Sequence, residues 1–370
     1  MSIDSLMTDI ANKTPQLLEA YACPGVAVAI LQGDETFLHC DGMANLEESL
    51  PVTAETLFHF CSISKAVATW GVMRLVDEGK LDLDTPVDDY LSRWHLPPSE
   101  FDNAGVTVRR LLSHTAGLPV EGYTGAAPGL QLPTPIDILE GRSAPMDERQ
   151  VAYSIKWGYD PETKHEAIRV KWPPGEKFSY SGGGYVLLDL LVEEVTGKSM
   201  PDYLAEAVLA PLGLDHASFH MLDDDTPNYA RCYDESLQRL PLYRQPHFSA
   251  GSLSGDIRDL ARFVRAEFAR PGIDEPGQGI ISPTSFRTIF EPVAFAETAG
   301  GMDFDIGLGH FLGELNGRRL AQHSGGSAGW RSIYFVIPET GQGFAALING
   351  SGGNEVWQNL VGLWVKSQLG

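Results

Sequence analysis

Ser62-Ile63-Ser64-Lys65 heads a stretch in which Ile63, Ala66, Val67 and Trp70 share one helical face and Gly79 supplies a stop. Residues three apart on a helix lie on one side, so Ser62 and Lys65 project together. A serine at this place is ordinarily a helix N-cap. That explains Ser62 but not Lys65, because a capping box wants Glu or Gln three residues on. A cation in the first helical turn also opposes the helix dipole, by about 0.3–1 kcal/mol. The arrangement suits a lysine that is meant to be neutral, since burial and the positive end of the dipole both lower its pKa. A neutral lysine beside a serine hydroxyl can serve as its general base. The pattern is short and carries little weight alone, but it is the only S-x-x-K in the chain.

Outward from this helix, the two ends of the chain read as strand. Ile3, Leu6, Met7 and Ile10 recur at helical spacing. The apolar run Val26 to Leu31 and the alternating Thr36 to Cys40 then flank Gly33-Asp34, which predicts a hairpin. At the far end, Ser332 to Ile337 and Gly343 to Ile348 flank the turn Pro338-Glu339-Thr340-Gly341, with Arg319 to His323 a weaker strand before them. Trp357, Leu360, Val361 and Trp364 mark a C-terminal helix. The fold class predicted is α/β of the α+β kind: an antiparallel sheet flanked by helices and built from both termini, residues 1–80 plus 300–370, around an inserted, mainly helical domain, residues 81–299. Within the insert, Tyr185, Leu188, Val192 and Val195 share a helix face ended by Gly197. The Pro-, Gly- and Thr-rich stretch from Pro119 to Trp172 reads as a functional loop region or lid.

Two further segments could carry chemistry. Tyr180-Ser181-Gly182 lies on a glycine-rich loop before a helix, where a phenol is either packed or positioned by a cation to shuttle a proton. His323-Ser324-Gly325-Gly326 lies between two strands, where exposed backbone N–H groups could supply half of an oxyanion hole and the glycines would admit substrate to the backbone. Gly325-Gly326-Ser327-Ala328-Gly329 also matches G-x-S-x-G, but that motif needs a helix after it and here a strand follows, so Ser327 is read as part of a strand-to-strand loop.

In the order S-x-x-K, Y-S-x, H-x-G, the chain resembles the serine β-lactamase-like superfamily: class C β-lactamases, penicillin-binding DD-peptidases, family VIII esterases and D-aminopeptidases. Leu57 to Lys65 is similar to the family's nucleophile segment and Glu78 to Asp84 to its continuation. Leu111 to Leu118, Ala210 to Leu214 and Ala250 to Leu253 are similar to further family blocks, and the histidine of the first, His114, is structural by this resemblance. The resemblance covers nearly the whole chain. It implies Ser62 as nucleophile, Lys65 as its base partner, Tyr180 as proton relay to the leaving group, and His323 where β-lactamases carry a lysine. It also implies an oxyanion hole from the backbone N–H groups of Ser62 and Gly326, with Gly325, Ser181 and Gly182 as neighbouring substrate contacts. The reaction implied is acyl transfer through an acyl-enzyme, with the base, Lys65 or Tyr180, left open because coupled sites titrate as a unit.

Two departures shape the expectation. The family motif often reads Y-S-N, with the Asn holding a substrate amide, and here Gly182 stands third. His323 replaces a permanent positive charge that would pair with a β-lactam carboxylate. Both favour an esterase or small-amide and peptide hydrolase over a β-lactamase or DD-peptidase. A non-catalytic scaffold is the remaining alternative. Pocket walls are expected from the Pro119–Trp172 stretch, from Tyr243 to Phe248, and from Trp330.

Composition narrows the partners. The 370 residues carry 27 basic and 49 acidic side chains, a net charge of −22. That excludes nucleic acid and anionic membranes as expected partners, leaving a small ester, amide or peptide, with oligomeric state open. Cys23, Cys40, Cys61 and Cys232 form no C-x-x-C or zinc pattern and read as small buried side chains; no metal or organic cofactor is expected. Met1-Ser2-Ile3-Asp4 opens without a basic region and apolar stretch, so the expected location is cytoplasmic, or periplasmic if a leader has been lost.

Overall fold

The computed structural model describes residues 2–118, 125–126, 130–142, 146–148, 151–152, 167–220 and 222–369. Helix α1 (Ile3–Ala20) is capped by Ser2, whose Oγ accepts from the Ser5 amide, and it buries Leu6, Ile10, Leu17 and Leu18. It leads into β1 (Gly25–Gln32) and β2 (Glu35–Asn45), joined through Gly33-Asp34 with Gln32 opposite Glu35. Short strands β3 (Leu50–Pro51) and β4 (Phe58–His59) precede helix α2 (Ile63–Asp77). Helix α3 (Gly182–Thr196) ends at Gly197, whose φ of 71° is the left-handed conformation that glycine adopts freely. Strand β5 (Ser254–Gly255) pairs with β4, and helix α4 (Ile257–Ala266) follows it.

The remaining strands are β6 (Ala294–Ala299), β7 (Met302–Ile306), β8 (Phe311–Leu315), β9 (Arg318–Ser327), β10 (Trp330–Ile337) and β11 (Gln342–Ile348), before helix α5 (Gly353–Leu369). With β1, β2 and β3 they form one nine-stranded sheet of order β3-β2-β1-β11-β10-β9-β8-β7-β6, antiparallel throughout. The β1–β11 ladder, Val26 opposite Ile348 through Gln32 opposite Gln342, joins the two ends of the chain.

The apolar run of β1 is continuous because both faces of the sheet centre are covered. Ala27, Ala29, Leu31, Ala345 and Leu347 enter one core with residues of α2, α3 and α4. Val26, Val28, Ile30, Ala346 and Ile348 enter a second core with α1 and α5. Each fully buried Val, Leu or Ile stabilises the sheet by roughly 1.5–3 kcal/mol, and this places α2 firmly against it.

Three features differ from the sequence reading. Strands β6 to β8 extend the sheet where none was read, and β6 starts ahead of residue 300. Helix α4, from the middle of the chain, packs on β1 and β11. The division into a sheet domain and an inserted helical domain is therefore kept as a proposal. Most of the Pro119–Trp172 loop region lies outside the described residues.

Candidate active site

The turn carrying Ser62 is fixed from both sides. The Phe60 amide donates to the Leu253 carbonyl at 2.8 Å. The Phe60 carbonyl accepts from Ser332 Oγ on β10 at 2.7 Å. Cys61 then adopts φ of +52°, a left-handed conformation that costs a non-glycine residue about 1–3 kcal/mol and persists only where surroundings impose it. Ser64 Oγ donates to the Cys61 carbonyl at 2.5 Å and accepts from the Leu253 amide at 2.9 Å, tying the bend to the neighbouring chain. Ser62 starts α2 in helical conformation and its side chain makes no capping hydrogen bond. The ordinary N-cap explanation of this serine is thereby replaced.

The Ser62 hydroxyl lies 3.4 Å from Lys65 Nζ. Lys65 is buried on α2, and its Nζ donates to the Ala250 carbonyl at 2.6 Å. It sits 4.7 Å from the Tyr180 ring centroid and 5.3 Å from that of Tyr185. Burial is the dominant influence and lowers its pKa to about 7, with smaller opposing contributions from Cys61 and Asp189. A neutral amine in this place keeps one N–H for Ala250 and has a lone pair for the serine proton. Ala250 escaped notice because a main-chain acceptor has no residue-type signature; the segment Ala250–Leu253 was visible only as a family-like block.

Tyr180 is held by His114. The ring centroids are 4.4 Å apart, and His114 also lies 5.2 Å from Tyr185 and edge-on to Phe178. The His114 carbonyl accepts from the Ser179 amide at 2.8 Å and its Nδ1 accepts from the Ser181 amide at 3.0 Å, so both neighbours of Tyr180 are pinned to one residue. Accepting at Nδ1 places the proton on Nε2, and burial lowers the His114 pKa well below its ordinary value. Ser181, expected as a substrate contact, caps α3: its Oγ accepts from the Gly184 amide at 2.9 Å. Gly182 is the buried first residue of that helix and offers no side chain to the cleft.

His323 sits on β9 with its ring centroid 6.4 Å from that of Tyr180 and 5.6 Å from that of Phe311. Its Nδ1 donates to the Ser324 carbonyl at 2.7 Å. Burial, followed by the nearby Lys65, lowers its pKa to about 3, so the ring is neutral. Ser62, Lys65, Tyr180 and His323 are thus successive neighbours. Gly325 is needed for close approach: a Cβ there would collide with Ser332 Oγ and the Phe60 carbonyl oxygen. Its role is to seat the Ser62 turn on the sheet. At Gly326 a Cβ would meet only Arg331 atoms at ordinary contact distance. Strand β8 pairs with β9 only as far as Gln322, while β9 runs on to Ser327. The G-x-S-x-G match is a hairpin corner, as read: Ser327 ends β9 opposite Trp330, with Ala328-Gly329 between them.

Of the expected wall residues, Trp330 is buried and stacked on Tyr229 at 5.6 Å between centroids, a packing role. Tyr243 donates to the Asp147 carboxylate. Among the described residues, His216, Asp256 and Asp259 are the only group of three possible metal ligands within 4.8 Å of one another. Those carboxylates already accept from Arg258, Arg262 and the amides of His216, Arg258 and Asp259.

An antiparallel sheet with a Ser-x-x-Lys turn seated on its helical face is the architecture of β-lactamase and penicillin-binding hydrolases. The chain belongs to the Beta-lactamase family, whose family model matches residues 10–361. It is 25% identical over 353 residues to the unguisins hydrolase ungD' of Aspergillus campestris, covering 91% of this chain and 60% of that protein. It is 26% identical over 332 residues to penicillin-binding protein 4* of Bacillus subtilis, covering 85% and 65%. Similarity to the D-aminopeptidase of Brucella canis is 28% over 321 residues, covering 84% and 53%. The chain therefore spans between about half and two thirds of the length of these relatives. Among solved structures, the octameric penicillin-binding protein homologue from Pyrococcus abyssi has a TM-score of 0.71 at 26% identity, covering 95% of this chain and 74% of that one. No helix among the described residues is long and apolar enough to cross a membrane.

Proposed function

We propose that this protein is a serine hydrolase that cleaves esters or small amides and peptides through an acyl-enzyme on Ser62. The observation that carries the reading is the buried Lys65, with its pKa lowered to about 7 and its Nζ 3.4 Å from Ser62 Oγ. Ser62 Oγ attacks the substrate carbonyl carbon and its proton passes to the Lys65–Tyr180 pair. The resulting oxyanion is held by the backbone N–H groups of Ser62 and Gly326. Collapse breaks the bond to the alcohol or amine, which leaves with a proton from Tyr180. Water then attacks the acyl carbonyl and gives a proton to the same pair; the acyl–Oγ bond breaks and the pair returns that proton to Ser62 Oγ. No step calls for a metal or organic cofactor, and a cytoplasmic location is part of the same proposal.

Esters and small amides are favoured over β-lactams for two reasons. A neutral His323 brings no positive charge to pair with a substrate carboxylate, and Gly182 has no side-chain amide for a substrate peptide bond. The penicillin-binding relatives support the second reading, a β-lactamase or DD-peptidase. Hydrolysis of p-nitrophenyl acetate and butyrate by wild type, lost by several orders of magnitude in Ser62→Ala, is the expected result. Equal hydrolysis by both proteins contradicts the mechanism. Nitrocefin turnover exceeding ester turnover favours the second reading, and failure to label with a fluorophosphonate or a penicillin favours a silent scaffold.

A further inference from the structure

Asp189 lies on α3 one turn beyond Tyr185 and is completely buried. Its Oδ1 accepts from the Ser249 amide at 3.0 Å, while Oδ2 has no hydrogen-bond partner among the described residues. A buried carboxylate with one oxygen unsatisfied is costly and calls for an explanation. Ser249 belongs to the short helical turn Phe248–Gly251, and its Oγ donates to the Tyr185 carbonyl at 2.9 Å, so this turn is clamped to α3 at two points. The next residue, Ala250, gives its carbonyl to Lys65 Nζ at 2.6 Å.

We propose that Asp189 is a positioning residue for Lys65: through Ser249 it fixes the turn that presents the Ala250 carbonyl to Nζ, and it supplies a buried negative charge facing the ammonium form of the lysine. This rests on the reading of Lys65 as part of the acyl-transfer machinery.

The other groups around Lys65 do not do this work. Cys61 also opposes the lowering of Lys65, but its thiol, pushed up to about 12 by burial, ionises only above the range in which the lysine titrates. Tyr185 is raised by burial and also stays neutral. His114 and His323 are lowered and carry no charge, and the Tyr180 ring face lies against Nζ. Asp189 is the carboxylate that acts on Lys65; it is itself raised to about 7, chiefly by burial and with Glu193 adding to it, while its bonds to Ser249 lower it. The lysine and the aspartate therefore titrate in the same range. The aspartate opposes the desolvation that would otherwise drive the lysine lower still. An opposite charge favours the protonated amine, so its removal lowers the lysine pKa.

The test is an NMR titration of the full chain with 13Cε-labelled lysine, the Lys65 signal being assigned by its loss in Lys65→Met. Asp189→Asn keeps an oxygen for the Ser249 amide and removes the charge. The expected result is a Lys65 midpoint lower than in wild type by about half a pH unit or more. An unchanged or higher midpoint overturns the proposal, because a purely structural Asp189 would alter stability without moving it. Should Asp189→Asn fail to fold, Asp189→Ser retains an acceptor and gives the same comparison. The readout does not need turnover. A lowered midpoint with Ser62→Ala still fully active would uphold the role of Asp189 and refute the acyl-enzyme reading. An unmoved midpoint with Ser62-dependent hydrolysis would do the reverse.

Discussion

Replacing Lys65 by methionine should make the protein more stable, and by an amount that depends on pH. In the folded protein burial lowers the lysine to about 7 from its ordinary 10.5. Between these values the unfolded chain binds a proton that the folded protein does not, so wild-type stability rises with pH across that window. The slope for one proton is about 1.4 kcal/mol per pH unit. From pH 7.5 to 9.5 the advantage of Lys65→Met over wild type should therefore shrink by about 3 kcal/mol. Urea unfolding followed by tryptophan fluorescence at several pH values measures both proteins side by side. A difference that stays flat over this range would mean that Lys65 has the same protonation folded and unfolded, and the neutral-base argument would fail.

Other expectations follow from the same geometry. Labelling of Ser62 by a fluorophosphonate should rise with pH around a midpoint of about 7, because only the neutral amine accepts the serine proton; a rate independent of pH between 5.5 and 8.5 would be inconsistent with this. Gly325→Ala should lose about 1–3 kcal/mol of stability and most ester hydrolysis, since the methyl group forces β9 away from Phe60; retained activity would show that the seating of the turn does not matter. Ser181→Ala should cost about 1 kcal/mol in thermal or urea unfolding with KM for an ester nearly unchanged, as befits a cap. A large rise in KM would return Ser181 to the substrate.

Much of the fold was legible because its signals are local. Gly33-Asp34 between two strand-like runs, and Pro338 to Gly341 between two more, specify hairpins by turn chemistry alone. Strand β6 was missed for the converse reason: Glu297 and Thr298 leave it polar and largely exposed at the sheet edge, with a register shift near Phe295, while β7, Met302 to Ile306, alternates apolar and acidic residues over only five positions. The Ser62–Lys65 pairing was legible because helix geometry fixes what lies three residues on. What completes that pairing was not. Ala250 acts through its carbonyl, Cys61 through a backbone angle, and Asp189 is masked among the apolar residues of α3. The cap that Ser181 forms for α3 was not read either, because its partner is the main-chain amide of Gly184.

The acyl-enzyme is the central claim, and intact-protein and peptide mass spectrometry after reaction with a fluorophosphonate probe tests it most directly. The account expects one adduct per chain, on the peptide containing Ser62, absent from Ser62→Ala and slowed by orders of magnitude in Lys65→Met. An adduct on another residue, or equal labelling of Ser62→Ala, would contradict it.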